Sequence, residues 1–276
     1  MFGRSIGPLH IFSYGVFLAL SFLAGLFLFV RDGRKAGLKT EDQLDQMIYI
    51  IIFSIIGARI LYVFLSRSDY SSHPLDALKI YQGGLSYHGG AVGGVFAVFF
   101  FSWRKKIPGW LMADTCIRPL ILGSAIARIG CFLNGCCYGH EWHGPWAVTF
   151  PSLQDGIPRH PTQFYDLGLH LILLGVITFA SRFKKRDSDI SAFYLFGFAV
   201  LRFITEITRS GATAKVLAFG LTQAQTASLG IFSVGLFIYF FRRNSSISTA
   251  REAASKKNGA SGKTGQSGKK SAGKKK

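Results

Sequence analysis

The sequence predicts an all-α, polytopic membrane protein with about seven transmembrane helices, N-terminus outside and C-terminus cytoplasmic. Three observations carry this. Of 276 residues, 49% are hydrophobic and only 17% charged, where an average soluble domain carries about 25% charge. The apolar residues fall into seven stretches near the ~20 residues that cross a hydrocarbon core. The basic residues gather in alternate connections between those stretches. A disordered chain is excluded by the 26 Phe, and a disulfide scaffold by having four cysteines, two of them adjacent, in so long a chain.

Taken in order, the stretches run over residues 9–30, 47–65, 85–103, 110–132, 164–181, 190–205 and 222–241. The first is uncharged from Ile11 to Val30 and too long for a signal peptide, with no small-residue cleavage site after it, so it reads as a retained span. The second holds Arg59 near its middle. The third and fourth are rich in glycine, as closely packed membrane helices often are. The fifth follows Arg159-His160-Pro161, the sixth is short and ends in Arg202, and the seventh stops before Arg242-Arg243. Arg31, Arg34, Lys35 and Lys39 follow span one, Arg104, Lys105 and Lys106 span three, and Arg182, Lys184, Lys185 and Arg186 span five. That distribution puts these connections in the cytoplasm.

Residues 1–243 therefore form one integral-membrane domain, and 244–276 a basic cytoplasmic tail. The tail holds nine basic residues and one Glu among Lys, Gly, Ser and Ala, so it reads as a disordered, solvated arm. It supplies much of the net charge of +18. Because the charge concentrates there and in the cytoplasmic connections, the expected partner is the lipid bilayer, and no nucleic acid is expected.

Charge at membrane depth costs roughly 2.5–3.5 kcal/mol on insertion scales, so each intramembrane Arg needs a reason. Arg59, Arg118, Arg128 and Arg202 all fall inside spans. Arg202 and Glu206 are four apart and share a helix face. One reading is structural ion pairing, with Asp114 and Glu206 as the acids. The other is a cationic pocket for a phosphate headgroup, which a guanidinium grips with two parallel hydrogen bonds.

Three polar, glycine-rich stretches fall toward the external side. Gly83-Gly84-Leu85-Ser86-Tyr87-His88-Gly89-Gly90 surrounds a histidine with residues that let a backbone or substrate come close. An imidazole is a suitable proton acceptor, although the glycines also suit plain helix packing. Arg128-Ile129-Gly130-Cys131-Phe132-Leu133-Asn134-Gly135-Cys136-Cys137-Tyr138-Gly139 leaves span four, and Arg159-His160-Pro161-Thr162-Gln163-Phe164-Tyr165-Asp166 enters span five. The thiols and nearby imidazoles invite a metal reading. Their spacing is neither a finger nor a ribbon, and adjacent cysteines rarely chelate one ion, so no metal is assigned. A redox pair and simple packing stay open. No phosphate loop of the GxxxxGK[ST] kind and no HExxH signature occurs.

In order along roughly residues 10–241, these segments resemble the prolipoprotein diacylglyceryl transferases of the bacterial plasma membrane. The resemblance rests on Tyr14-Gly15, Gly57-Ala58-Arg59, the Gly83–Gly90 stretch, Asp114, Pro119, Ala127-Arg128-Ile129-Gly130 and Phe132-Leu133-Asn134-Gly135. It continues through Arg159–Tyr165, Leu201-Arg202-Phe203-Ile204-Thr205-Glu206, Arg209 and Leu221-Thr222-Gln223-Ala224-Gln225. The chain departs from the family at Cys131, where Asn is usual, at Cys136, where an acid is usual, and at Asp166, where Glu is commoner.

The resemblance implies transfer of diacylglyceryl from phosphatidylglycerol to the lipobox cysteine of a prolipoprotein, with release of glycerol phosphate. It implies an inner-membrane location with the active site on the external side. His88, Arg128 and Arg202 are the implied catalytic residues. Tyr14, Asn134, Gly135, Glu206 and Arg209, with Arg128, are the implied substrate-binding ones, and no cofactor is required. The alternatives are a transporter or lipid-binding protein for an anionic small molecule, against which the lack of a detectable inverted repeat counts, and a homologue that binds prolipoproteins without catalysis.

Overall fold

The computed structural model describes residues 3–6, 9–70, 74–210 and 220–242; the tail 244–276 lies outside the described residues. An antiparallel pair, β1 (Gly3–Ile6) and β2 (Leu9–Phe12), leads into α1 (Ser13–Lys35), α2 (Thr40–Leu65) and the short α3 (Arg67–Tyr70). Then come α4 (Tyr87–Lys105), α5 (Gly109–Leu133), the small antiparallel pair β3 (Val148–Thr149) and β4 (Pro158–Arg159), α6 (Thr162–Ala180), α7 (Asp189–Glu206) and α8 (Gln223–Arg242). The all-α expectation is thus corrected by two small two-stranded sheets. Each of the seven apolar stretches is a helix. Among the described residues five helices, α1, α2, α5, α6 and α8, are long and apolar enough to cross a membrane.

Two boundaries differ from the sequence reading. The first helix begins at Ser13 because residues 9–12 pair as a strand. The second begins at Thr40, seven residues before its apolar stretch. Glu41 and Asp42 sit in its first turn, where negative charge suits the helix dipole. Gln43 and Gln46 are buried there, and Gln43 Nε2 donates to the Phe29 carbonyl at 2.6 Å.

The long helices pack as neighbours α1 with α5, α2 with α4, α5 with α6, and α7 with α8. Ile121 and Ile177 are fully buried in an α5–α6–α7 core with Leu173, Ile190 and Leu201. Large apolar side chains such as Phe22, Leu23 and Phe27 on α1, Ile60 and Phe64 on α2, and Phe237 and Phe241 on α8 face outward. An apolar exterior of this kind suits lipid rather than water.

The α2–α4 seam is made by glycine. A Cβ at Gly89 would run into the Gly57 carbonyl, and one at Gly93 into the Phe53 carbonyl, so the two backbones touch. Gly93→Val is expected to separate the pair, with an overpacking cost of about 1–3 kcal/mol. The measurement is the yield of monodisperse protein in detergent. Wild-type yield would mean that the seam relaxes freely.

The four arginines inside the apolar stretches have different fates. Arg59 is buried and spends its guanidinium on backbone. Its Nε donates to Ala77 O at 2.7 Å, Nη1 to Gly83 O at 2.7 Å and Gly84 O at 3.1 Å, and Nη2 to Asp76 O at 2.8 Å and Lys79 O at 3.4 Å. It staples the α2–α4 connection and is not a ligand-binding arginine. Hydrogen bonds to a charged group contribute roughly 1.5–3 kcal/mol each. Arg59→Leu is therefore expected to lower Tm strongly and collapse folded yield, while Arg59→Lys recovers part of it. Arg118 pairs with buried Asp32 at 3.0 Å. Asp114, expected as a partner for such an arginine, instead pairs with Lys184 at 2.9 Å and accepts from the backbone of Ser188 and Ser191 and the Ser191 hydroxyl. It fixes the turn into α7. Arg128 and Arg202 lie together at the other end of α5 and α7.

Candidate active site

The site is built on the turn that leaves α5. Gly135 takes φ +65°, and a Cβ there would collide with the Ser152 hydroxyl, so the reversal needs glycine. Cys137 adopts φ +64°, a conformation L-residues avoid. The neighbours hold it there. Thr162 Oγ1 donates to Cys137 O at 2.6 Å, Gln163 Nε2 to Cys136 O at 2.7 Å, and Ser210 Oγ to Tyr138 O at 3.4 Å. Gly139 then threads between Thr208 and His160, giving its N–H to His160 O at 2.9 Å and leaving no room for a side chain. The Arg159–Asp166 stretch thus serves to clamp the turn against the start of α6, and the residues after α7 close the other side.

Arg128, on the last turns of α5, reaches Asp166 of α6 with Nε at 3.2 Å. Arg209, just past α7, reaches the same carboxylate oxygen at 3.6 Å. Arg202 and Glu206 form the expected i,i+4 pair at 2.8 Å, and Thr222 Oγ1 donates to Glu206 at 3.4 Å. Thr222 also heads α8 in a reciprocal cap: Gln225 N–H donates to its hydroxyl at 3.2 Å while its own N–H donates to Gln225 Oε1 at 3.0 Å. That cap accounts for the Thr222–Gln225 motif.

Three guanidiniums share two carboxylates, leaving one positive charge. The carboxylates lie behind: the Asp166 and Glu206 side chains are 4% and 0% exposed, against 24%, 19% and 16% for Arg128, Arg202 and Arg209. The cations therefore form the accessible face. Among the described residues the two terminal amino groups of Arg128 have no hydrogen-bond partner, so its fork is open to a ligand. Asp166 was missed as a site residue; its signal was an acid at the head of an apolar stretch.

Tyr14 opens α1 with its ring against Gly130, and it lies within electrostatic reach of Arg128 and the three nearby thiols. Asn134 caps α5 with its N–H on Gly130 O, and its side chain meets Cys136. His88 is exposed on the first turn of α4. Among the described residues its ring pairs edge-on with Tyr87 at 5.8 Å, and Tyr87 in turn lies within electrostatic reach of Arg128. The site thus gathers Tyr14, Arg128, Asn134, Gly135, Arg202, Glu206 and Arg209, with His88 apart from the ion pairs.

The Cys131, Cys136 and Cys137 sulfurs lie within 4.8 Å of one another. The hydrogens of Cys131 and Cys136, with the Arg209 and Arg128 charges, hold the Cys137 thiol well below the usual thiol range. Beside the turn, the Tyr165 hydroxyl joins Trp146 Nε1 at 2.7 Å to His160 Nδ1 at 3.1 Å, and Trp142 stacks on the His160 ring. Burial, and the adjacent His140, push His160 below the ordinary imidazole range.

Known proteins share this arrangement of sequence. The family described as prolipoprotein diacylglyceryl transferase matches residues 3–241. A phosphatidylglycerol–prolipoprotein diacylglyceryl transferase of Bordetella bronchiseptica is 33% identical over 243 residues, covering 86% of this chain and 92% of its own length. The protein of the same name from Gluconobacter oxydans is 33% identical over 255 residues, covering 88% and 93%. That of Burkholderia orbicola is 31% identical over 288 residues, covering 89% and 95%. Matched almost end to end, with the arginine cluster lying inside the matched region, the chain belongs to the prolipoprotein diacylglyceryl transferase family.

Proposed function

We propose that this chain transfers the diacylglyceryl group of phosphatidylglycerol to the lipobox cysteine thiol of a prolipoprotein, forming a thioether and releasing glycerol phosphate. The observation that carries the reading is the open cationic face of Arg128, Arg202 and Arg209 backed by buried Asp166 and Glu206.

The thiol gives its proton to His88 and attacks the glyceryl carbon as a thiolate. The C–O bond to phosphate breaks, and its electron pair leaves with the phosphate, which goes from a singly charged diester to a more highly charged monoester. Arg128 and Arg202 meet that growing charge, which is where preorganised cations lower a barrier most. Asp166 and Glu206 aim the guanidiniums, Arg209 shares the neutralisation, and Tyr14 positions the headgroup. Asn134 and Gly135 shape the turn beside it.

The reading includes a topology. All seven long helices cross the inner membrane, the N-terminus and the site lie outside, and the C-terminus is cytoplasmic. The basic connections between alternate helices support it. Residues 1–243 are the catalytic domain and 244–276 a solvated tail.

The experiment is purified chain in nanodiscs containing phosphatidylglycerol, with a lipobox peptide, following glycerol phosphate. Release that depends on the peptide cysteine is the expected result. Peptide binding without release would mark a non-catalytic homologue, and release from a cysteine-free peptide would overturn the thiol acceptor.

A further inference from the structure

The departure of this chain at Cys131 and Cys136 leaves a feature that the transfer reaction does not use. Adjacent cysteines normally point apart, which is why the sequence alone argues against shared chelation. Here the left-handed turn at Cys137 swings its side chain back beside that of Cys136, and the two sulfurs stand 3.8 Å apart. Cys131, one helical turn beyond Arg128, supplies the third sulfur, all three within 4.8 Å of one another. Thiolates bound to one cation at about 2.3 Å in tetrahedral geometry stand about 3.8 Å from each other. The cluster already has nearly that spacing, and all three cysteines are free.

We propose that Cys131, Cys136 and Cys137 bind one soft, thiophilic cation, zinc or copper(I), which ties the end of α5 to the turn that carries Asn134 and Gly135. Three thiolates leave one negative charge around zinc and two around copper(I), and Arg128 and Arg209 lie within electrostatic reach of Cys137. Soft thiolate donors select these metals over magnesium or calcium. Three protein ligands leave a fourth position for water or an outside donor. The site is structural, and no step of the transfer passes through it.

The test uses the full chain in phosphatidylcholine nanodiscs, reduced and stripped of metal. Zinc and copper(I) are added separately, and bound metal is counted by elemental analysis after desalting. Cadmium serves as a third probe through its thiolate charge-transfer absorption. About one equivalent of zinc or copper(I) per chain is expected, and whichever survives competition from a soluble chelator is the resident ion. Cys136→Ser/Cys137→Ser should lose the metal and the cadmium band, while Cys116→Ser, elsewhere on α5, should keep both. Should the double variant fold poorly, wild type suffices: bound metal should raise its Tm and shield Cys131, Cys136 and Cys137, but not Cys116, from iodoacetamide. Absence of stoichiometric metal, equal uptake by the double variant, or a Cys136–Cys137 disulfide in unreduced protein would each overturn the proposal.

Discussion

Arg128→Lys and Arg202→Lys are each expected to cut glycerol phosphate release by roughly 10²–10³-fold, the usual loss when one preorganised donor to a developing anion is removed. Lysine keeps the charge, so the variants separate charge from shape. The two terminal amino groups of Arg128 stand open while its Nε faces Asp166 at 3.2 Å. An ammonium offers a point charge in place of that fork and cannot hold Asp166 and a phosphate together in the same plane. The loss should fall on kcat, because the phosphate gains charge only as the C–O bond breaks. Solubility and helix content should match wild type. Near-normal release from both variants would remove the clamp from the mechanism.

The second large effect belongs to His88. General-base catalysis contributes typically ~10²–10⁴-fold, and His88→Asn should lose turnover in that range with little change in the KM for lipid. Its pH–rate profile should also lose one ionisation that wild type shows with the same peptide. Comparing the two on one peptide is necessary because a free thiol titrates near ~8.5 and adds its own limb. The structure makes this a demanding test. His88 is exposed, it pairs edge-on with the Tyr87 ring, and among the described residues it stands outside the Arg–Asp–Glu cluster. A positional histidine would raise KM and leave the profile's shape intact. In that outcome Tyr14, beside Arg128 and the thiols, becomes the candidate base.

How far the sequence carried depended on whether a feature is periodic and local. Hydropathy located all seven long helices, since an apolar run of that length has few other fates. It could not locate the first two turns of α2, because Glu41, Asp42, Gln43 and Gln46 read as a loop until Gln43 is seen bonding to the Phe29 carbonyl. Arg202 and Glu206 were legible as a pair because four residues make one helical turn. Arg128 with Asp166 was not, since that contact depends on how α5 and α6 pack. Arg59 was misleading for a related reason. Its partners are carbonyls, which every residue carries and no composition reveals. Cys137 was hidden by the sign of one dihedral angle.

The carbonyl cage around Arg59 bears on how the chain is made. Its acceptors lie 17 to 25 residues downstream. When α2 leaves the ribosome its arginine has nothing to bond with, and lateral release into lipid at that moment would strand a bare cation. The sequence that satisfies it is the connection leading into α4. The unit handed to the bilayer is therefore expected to be α2 together with the connection that follows it, already carrying the contacts that its charged residue needs.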